Sequence, residues 1–275
     1  MMGCFCMPQN LELLNKAQLA AYLKPENQSY LDKIVVLESV NSTNTFLVDA
    51  SKNPDNKISI CFAESQTAGK GRLGRQWISP FGCNIYLSLL WNFKCGLDQL
   101  SGLSIAVAMA VVEALKAYGI IDAIKLKWPN DVLWEGKKLA GILVELSSQE
   151  KNFHNAVIGV GLNVNMPETF SQDISQPWCD IAEIIGKTPD RNKLAGLLLD
   201  KLLSTLKLYQ TEGFAPFYPK WKDLDAFYGQ EVSISTAQEK IFGINRGIDA
   251  KGYLVLEASS GPRIIATGET AIANT

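Results

Sequence analysis

Residues 63–77 read AESQTAGKGRLGRQW, and in this stretch Gly69, Gly71 and Gly74 alternate with Lys70, Arg72 and Arg75. Glycines let backbone amides approach a ligand closely. Three cations this near one another repel unless an anion lies between them. The run therefore suits a phosphate or an adenylate. It is not a Walker A loop, which needs Lys followed by Ser or Thr after the last glycine. The letters G-x-G-x-x-G do match from Gly69 to Gly74, but Gly74 leads through Arg75 to an extended apolar run and not to a helix, so a dinucleotide turn is not implied.

The flanks of this loop read as strands, over Lys57–Ala63 before it and Cys83–Trp91 (CNIYLSLLW) after it. Upstream, the spacing of Leu11, Leu14, Leu19, Tyr22 and Leu23 predicts a helix ended by Pro25, after a loose tail over residues 1–9. Ile34–Leu37 is a β-branched strand. Ser42 then caps a helix running to Ala50. Ser42-Thr43-Asn44 places three small hydrogen-bonding side chains at a strand-to-helix turn, where they can present donors and acceptors to a compact polar ligand. Downstream, Leu97–Tyr118 is a helix apolar nearly all round, with Gly119 closing it, and is expected beneath the sheet.

In Lys127-Trp128-Pro129-Asn130-Asp131 two apolar strand pieces meet at a proline, which marks a sheet edge or a bulge and gathers Lys127, Asn130 and Asp131 at the break. Glu135-Gly136 turns the chain, Lys138–Glu145 returns as a strand, and His154–Asn165 (HNAVIGVGLNVN) is another, with Asn163 near its end. Amphipathic helices follow over Arg191–Tyr209 and Phe214–Lys222. Short strands at 231–235, 239–248, 253–258 and 263–267 then alternate with turns, the pattern of a small β-barrel. The fold class expected is α+β: a mixed sheet flanked by helices, then an SH3-like barrel. The expected divisions are 1–33, 34–226 and 227–275.

Composition narrows the chemistry. A net charge of −2 and 47% hydrophobic residues describe a globular chain whose main partner is not nucleic acid. No apolar run has the length of a membrane span. Six cysteines without C-x-x-C spacing read as reduced, mostly buried thiols in a cytoplasmic protein. The one histidine, His154, reads as a surface or strand-edge residue, which leaves no basis for a zinc centre or a histidine-based nucleophile. Lys, Arg, Asp and Asn must carry the chemistry.

With Ser42-Thr43-Asn44, the glycine-cation loop, Lys127–Asp131, Lys138–Ile142 and Gly159–Asn163 in this order, the chain resembles the biotin protein ligases over roughly residues 34–270. The resemblance implies a class II synthetase-like catalytic domain that activates biotin with ATP and Mg²⁺ to biotinyl-5′-AMP. Biotin then passes to one lysine of the biotin carboxyl carrier protein of acetyl-CoA carboxylase. It implies that Ser42, Thr43, Asn44 and Gln66 contact the ureido end of biotin. Lys70, Gly71 and Arg72 would hold its carboxylate and the adenylate phosphate, with Lys138 near the reacting carboxylate. Arg75, Trp77, Lys127, Asn130 and Asn163 would serve the nucleotide. The acceptor amine must be neutral to attack, and Asp131 is the nearby carboxylate best placed to orient it or take its proton. The metal is expected through the phosphates and not through protein ligands.

Two departures matter. The family loop usually begins Gly-Arg-Gly-Arg, and Lys70 keeps the charge but not the planar fork. The first strand is expected too near the start for the DNA-binding winged helix of some relatives, which implies a ligase without repressor function. Relatives occur as monomers and as homodimers, and both remain open. A lipoate or octanoyl protein transferase shares the fold, but the cation loop and Lys127–Asp131 favour biotin. A DNA-binding regulator is disfavoured by the acidic balance.

Overall fold

The computed structural model describes residues 12–53, 55–150 and 153–273, so the expected tail over residues 1–9 and Leu11 lie outside the described residues. A short arm comes first: helix α1 (Lys16–Ala20), then a 3₁₀ stretch over Pro25–Lys33. The expected helix from residue 11 is shorter because Asn15 is its N-cap, its side chain accepting from Ala17 N at 2.9 Å.

Strand β1 (Ile34–Val40), helix α2 (Thr43–Ala50) and strands β2 (Ile60–Gln66) and β3 (Ile85–Phe93) follow. Helix α3 (Leu103–Tyr118) is preceded by a separate 3₁₀ turn at Leu97–Leu100, so the long apolar helix expected from Leu97 is split at Ser101-Gly102. Next come β4 (Ile124–Lys127), β5 (Asp131–Trp134), β6 (Lys137–Glu150), β7 (Phe153–Leu162) and α4 (Ile181–Ile185). Helix α5 (Arg191–Glu212) is capped by Asp190, which accepts from Lys193 N at 2.8 Å. The second helix expected over Phe214–Lys222 is a 3₁₀ turn and the four-residue α6 (Trp221–Leu224).

One seven-stranded sheet has the order β1-β2-β3-β7-β6-β5-β4, with β1 and β2 parallel and the other neighbours antiparallel. Strand β3 shows why the sheet is covered on both faces. Ile85, Leu87, Leu89, Trp91 and Phe93 join the large core with α3 and α5, while Leu90 packs in the smaller cluster around Leu47 of α2. Ser88, on the same face as Leu90, is polar and belongs to the site.

Two expectations are corrected. His154 is neither at the surface nor at an edge: it is 2% exposed on β7, which lies between β3 and β6. Pro129 sits in the turn joining β4, the true edge strand, to β5, and the bulge falls between Val132 and Leu133. A further strand, over Glu269–Ile272, escaped the sequence reading.

The C-terminal strands β8 (Glu231–Ser235), β9 (Lys240–Ile248), β10 (Leu254–Ala258), β11 (Gly261–Ile265) and β12 (Glu269–Ile272) form a separate antiparallel sheet in the order β11-β10-β9-β8-β12. It is seated firmly. Asp225, at the entry to this sheet, accepts from Trp221 Nε1 at 2.9 Å, Phe227 N at 3.0 Å and Asn245 Nδ2 at 3.0 Å. Burial pushes the Asp225 carboxyl up from its ordinary range, and these donors oppose the shift. Trp128 Nε1 donates to Gly252 O at 3.1 Å across the same junction.

The N-terminal arm is held by buried charge. Arg191 Nη2 lies 2.6 Å from Glu64 Oε2 on β2, and its Nη1 donates to Glu12 O at 3.1 Å. Both side chains of the pair are under 9% exposed, so removing one partner strands the other in a low-dielectric interior. Arg191→Met is expected to lower unfolding free energy by about 3–5 kcal/mol. Urea denaturation measures it, and a loss under about 1 kcal/mol would contradict the buried-pair account.

Candidate active site

The first turn of α2, the cation loop, the first half of β6 and the last part of β7 line a cavity of about 350 Å³, within the range of small-molecule sites. Its wall includes Ser42, Thr43, Asn44, Gln66, Lys70, Gly71, Arg72, Arg75, Trp77, Asn130, Lys138 and Asn163. Twelve expected site residues therefore converge on one space. Two do not reach it: Lys127 and Asp131 stand behind the wall.

Local structure explains each placement. Ser42 is the extended N-cap of α2, so its neighbours project from the exposed amide end of the helix. Thr43 N donates to Gln66 Oε1 at 2.9 Å, and Gln66 Nε2 to Ser79 Oγ at 2.9 Å. Gly71 N closes the cation loop on Arg75 O at 2.7 Å. Asn130 Nδ2 donates to Ile142 O at 2.8 Å, while Asn163 Nδ2 donates to Cys179 O at 3.1 Å and fixes the wall behind Lys138.

Each loop cation has a protein acceptor. Lys70 Nζ lies 3.6 Å from Glu145, Arg72 donates to Asn130 Oδ1 at 3.1 Å and to Gly268 O at 3.2 Å, and Arg75 is paired with Glu269. Gly268 and Glu269 belong to the C-terminal sheet and its approach, so that sheet holds the loop. Burial pulls the Arg72 guanidinium down from its ordinary value, with Asp131 opposing. Leu73, at the loop tip, is 75% exposed in a left-handed conformation (φ 55°), an unusual posture for an apolar residue.

Lys138 is the most buried cation at the cavity. Its Nζ lies 2.7 Å from Asp131 Oδ1, and Lys127 Nζ is 3.2 Å from Asp131 Oδ2. Burial lowers the Lys138 ammonium from its ordinary value, and Asp131 offsets part of that cost. Trp77 lies beside it, with Lys138 Nζ 5.4 Å from the ring centre. The indole Nε1 is buried with no partner among the described residues, a donor left over for a ligand.

Comparison with known proteins places this geometry. Residues 36–163 match the biotin/lipoate A/B protein ligase family, and residues 227–270 match the biotin protein ligase C-terminal domain. The bifunctional ligase/repressor BirA of Escherichia coli is 38% identical over 256 residues, covering 92% of this chain and 76% of the relative. The chain belongs to the biotin protein ligase family. The biotin–[acetyl-CoA-carboxylase] ligase of Paracoccus denitrificans is 31% identical over 210 residues, covering 75% of this chain and 87% of that protein. Among solved structures, the biotin protein ligase from Aquifex aeolicus in complex with biotin and ATP superposes with a TM-score of 0.73 at 31% identity, over 87% of this chain and 97% of that one. The mixed sheet with its helices and the separate C-terminal sheet are the architecture of those ligases.

Sequence reading missed Glu145 as a site residue, Ser88, and the contacts from Gly268 and Glu269. All are strand or strand-entry residues whose partners are remote in sequence, so no local spacing announced them.

The cavity wall depends on close packing against glycine. A Cβ at position 161 would stand 2.7 Å from Trp77 Cζ2. Gly161→Ala is therefore expected to cost about 1–3 kcal/mol by overpacking. In a Trp77→Ala background the same change should cost under about 0.5 kcal/mol, which a double-mutant cycle measures. Equal costs in both backgrounds would contradict the contact.

Proposed function

We propose that this enzyme activates biotin with ATP and transfers it to one lysine of the biotin carboxyl carrier protein of acetyl-CoA carboxylase. The observation that carries the reading is the convergence of Lys70, Arg72, Arg75 and Lys138 on one cavity with Ser42, Thr43 and Gln66 at its polar end. A biotin carboxylate and the α-phosphate of ATP repel each other, so bond formation between them needs cations that neutralise both and fix their line of approach.

In the first step a carboxylate oxygen forms a bond to the α-phosphorus and pyrophosphate leaves. Arg72 and Lys138 hold the carboxylate and phosphate, and Lys70 and the Gly71 amide support the carboxylate side. Arg75, Trp77, Lys127, Asn130 and Asn163 serve the nucleotide, Lys127 acting from behind the wall through Asp131. Mg²⁺ carried on the phosphates would stabilise the departing pyrophosphate. In the second step the neutral lysine amine attacks the acyl carbon and AMP leaves. Asp131 orients that amine or takes its proton once Lys138 has turned to the ligand. ATP as co-substrate is compatible with a cytoplasmic reaction, and a net charge of −2 supports a ligase without a DNA-binding role.

Biotin-dependent release of pyrophosphate from ATP tests the activation step. It should fall at least ~100-fold in Arg72→Ala, the magnitude of losing one preorganised donor to a developing anion. Release without biotin, or an unchanged Arg72→Ala, would overturn the reading.

The same assay has a definite pH dependence. Lys138 must be charged to hold an anion, and burial lowers its pKa, so activity should fall on the alkaline side at a pH below that of an ordinary lysine. Asp131→Asn removes the group that raises the Lys138 pKa and should move this limb to lower pH. Lys138→Arg should move it higher. A limb fixed in all three proteins would contradict the assignment of Lys138.

A further inference from the structure

The hydrogen bonds behind Ser42-Thr43-Asn44 form a chain with a direction. It begins at Glu145, which accepts from Asn44 Nδ2 at 2.7 Å and lies 3.6 Å from Lys70 Nζ. A carboxylate accepts and does not donate, so the Asn44 amide must turn its nitrogen to Glu145 and its oxygen the other way. That oxygen is 2.6 Å from Ser88 Oγ and must receive the single hydrogen of Ser88. Ser88 is fully buried, and its oxygen is 2.7 Å from Thr43 Oγ1. With its own hydrogen committed to Asn44, Ser88 takes the hydrogen of Thr43. The other acceptor within reach, Gln66 Oε1, is farther at 3.2 Å and already receives Thr43 N at 2.9 Å.

Thr43 therefore faces the cavity with lone pairs alone. Ser42 is the reverse. Its oxygen receives Thr45 N at 3.5 Å, and its hydrogen has no acceptor among the described residues. A donor and an acceptor on adjacent residues match a ligand that presents C=O beside N–H. Position 159 protects the arrangement, since a Cβ there would stand 3.0 Å from Asn44 Cγ.

We propose that Glu145 is a positioning residue that sets the direction of this chain, making Thr43 an obligate acceptor. The site then selects a cyclic urea over a ring that carries oxygen where the N–H should be. This inference rests on the biotin reading and adds the group that fixes its ring specificity. With Gln at position 145 the chain can reverse. The new amide donates to the Asn44 oxygen, Asn44 to Ser88, Ser88 to Thr43, and Thr43 can then donate to a ring oxygen.

The test is calorimetric binding of biotin and of the two cyclic carbamate isomers, each with one ring N–H replaced by oxygen, to wild type, Glu145→Gln and Glu145→Asp. Wild type should bind biotin at least ~10-fold more tightly than the isomer whose oxygen faces Thr43, because two acceptors would meet there without a hydrogen. Glu145→Gln should reduce that ratio to about threefold or less, while Glu145→Asp, which still only accepts, should keep most of it. A purely structural role would weaken all ligands alike and leave the ratio unmoved. An unchanged ratio in Glu145→Gln, or no preference in wild type, overturns the inference and leaves the ligase reading intact. Wild type that neither binds biotin nor releases pyrophosphate with it overturns both.

Discussion

Cations crowded onto one short loop repel, and much of this fold serves to hold them together. Lys70, Arg72 and Arg75 are interleaved with Gly69, Gly71 and Gly74 in a segment whose backbone cannot hold them apart by itself. The protein supplies acceptors from three directions: Glu145 from the central sheet, Asn130 from the turn between β4 and β5, and Gly268 with Glu269 from the C-terminal sheet. These contacts are partly exposed or neutral, and so weak enough to exchange for a ligand's anions. Lys138 differs. Its pairing with Asp131 is buried, which keeps a fourth cation at the cavity wall before any ligand arrives.

The remaining architecture follows from that need. Trp128 and Asp225 seat the C-terminal sheet on the edge of the main one, which brings Gly268 and Glu269 over the loop. Glycines at 159 and 161 clear the sheet surface for Asn44 and Trp77. The buried Glu64–Arg191 pair ties β2, whose last residue is Gln66, to α5 and the N-terminal arm. Each device fixes a strand or helix end that carries a ligand-facing group.

The sequence made the short motifs legible because a ligand constrains residue type over a few adjacent positions. Ser42–Asn44, Gly69–Arg75 and Lys138 were found in this way and do converge. The alternating apolar pattern likewise disclosed most strands. Strand order was not legible, which is why His154 was placed at a surface when β7 is central. Glu145 and Ser88 were missed for a related reason. Each is a polar residue between two apolar neighbours in a strand, and its meaning comes from Asn44, which the fold brings beside it. Lys127 and Asp131 were read as gathered with Asn130 at a break in the sheet; the hairpin sets them behind the cavity wall, against Lys138 and each other.

The account stands most directly on one measurement: the intact mass of a biotin carboxyl carrier domain after incubation with this protein, ATP, Mg²⁺ and biotin. It predicts a gain of one biotinyl group on one lysine, requiring all three small reactants. A carrier whose mass is unchanged, while biotin-dependent pyrophosphate is also absent, would contradict it.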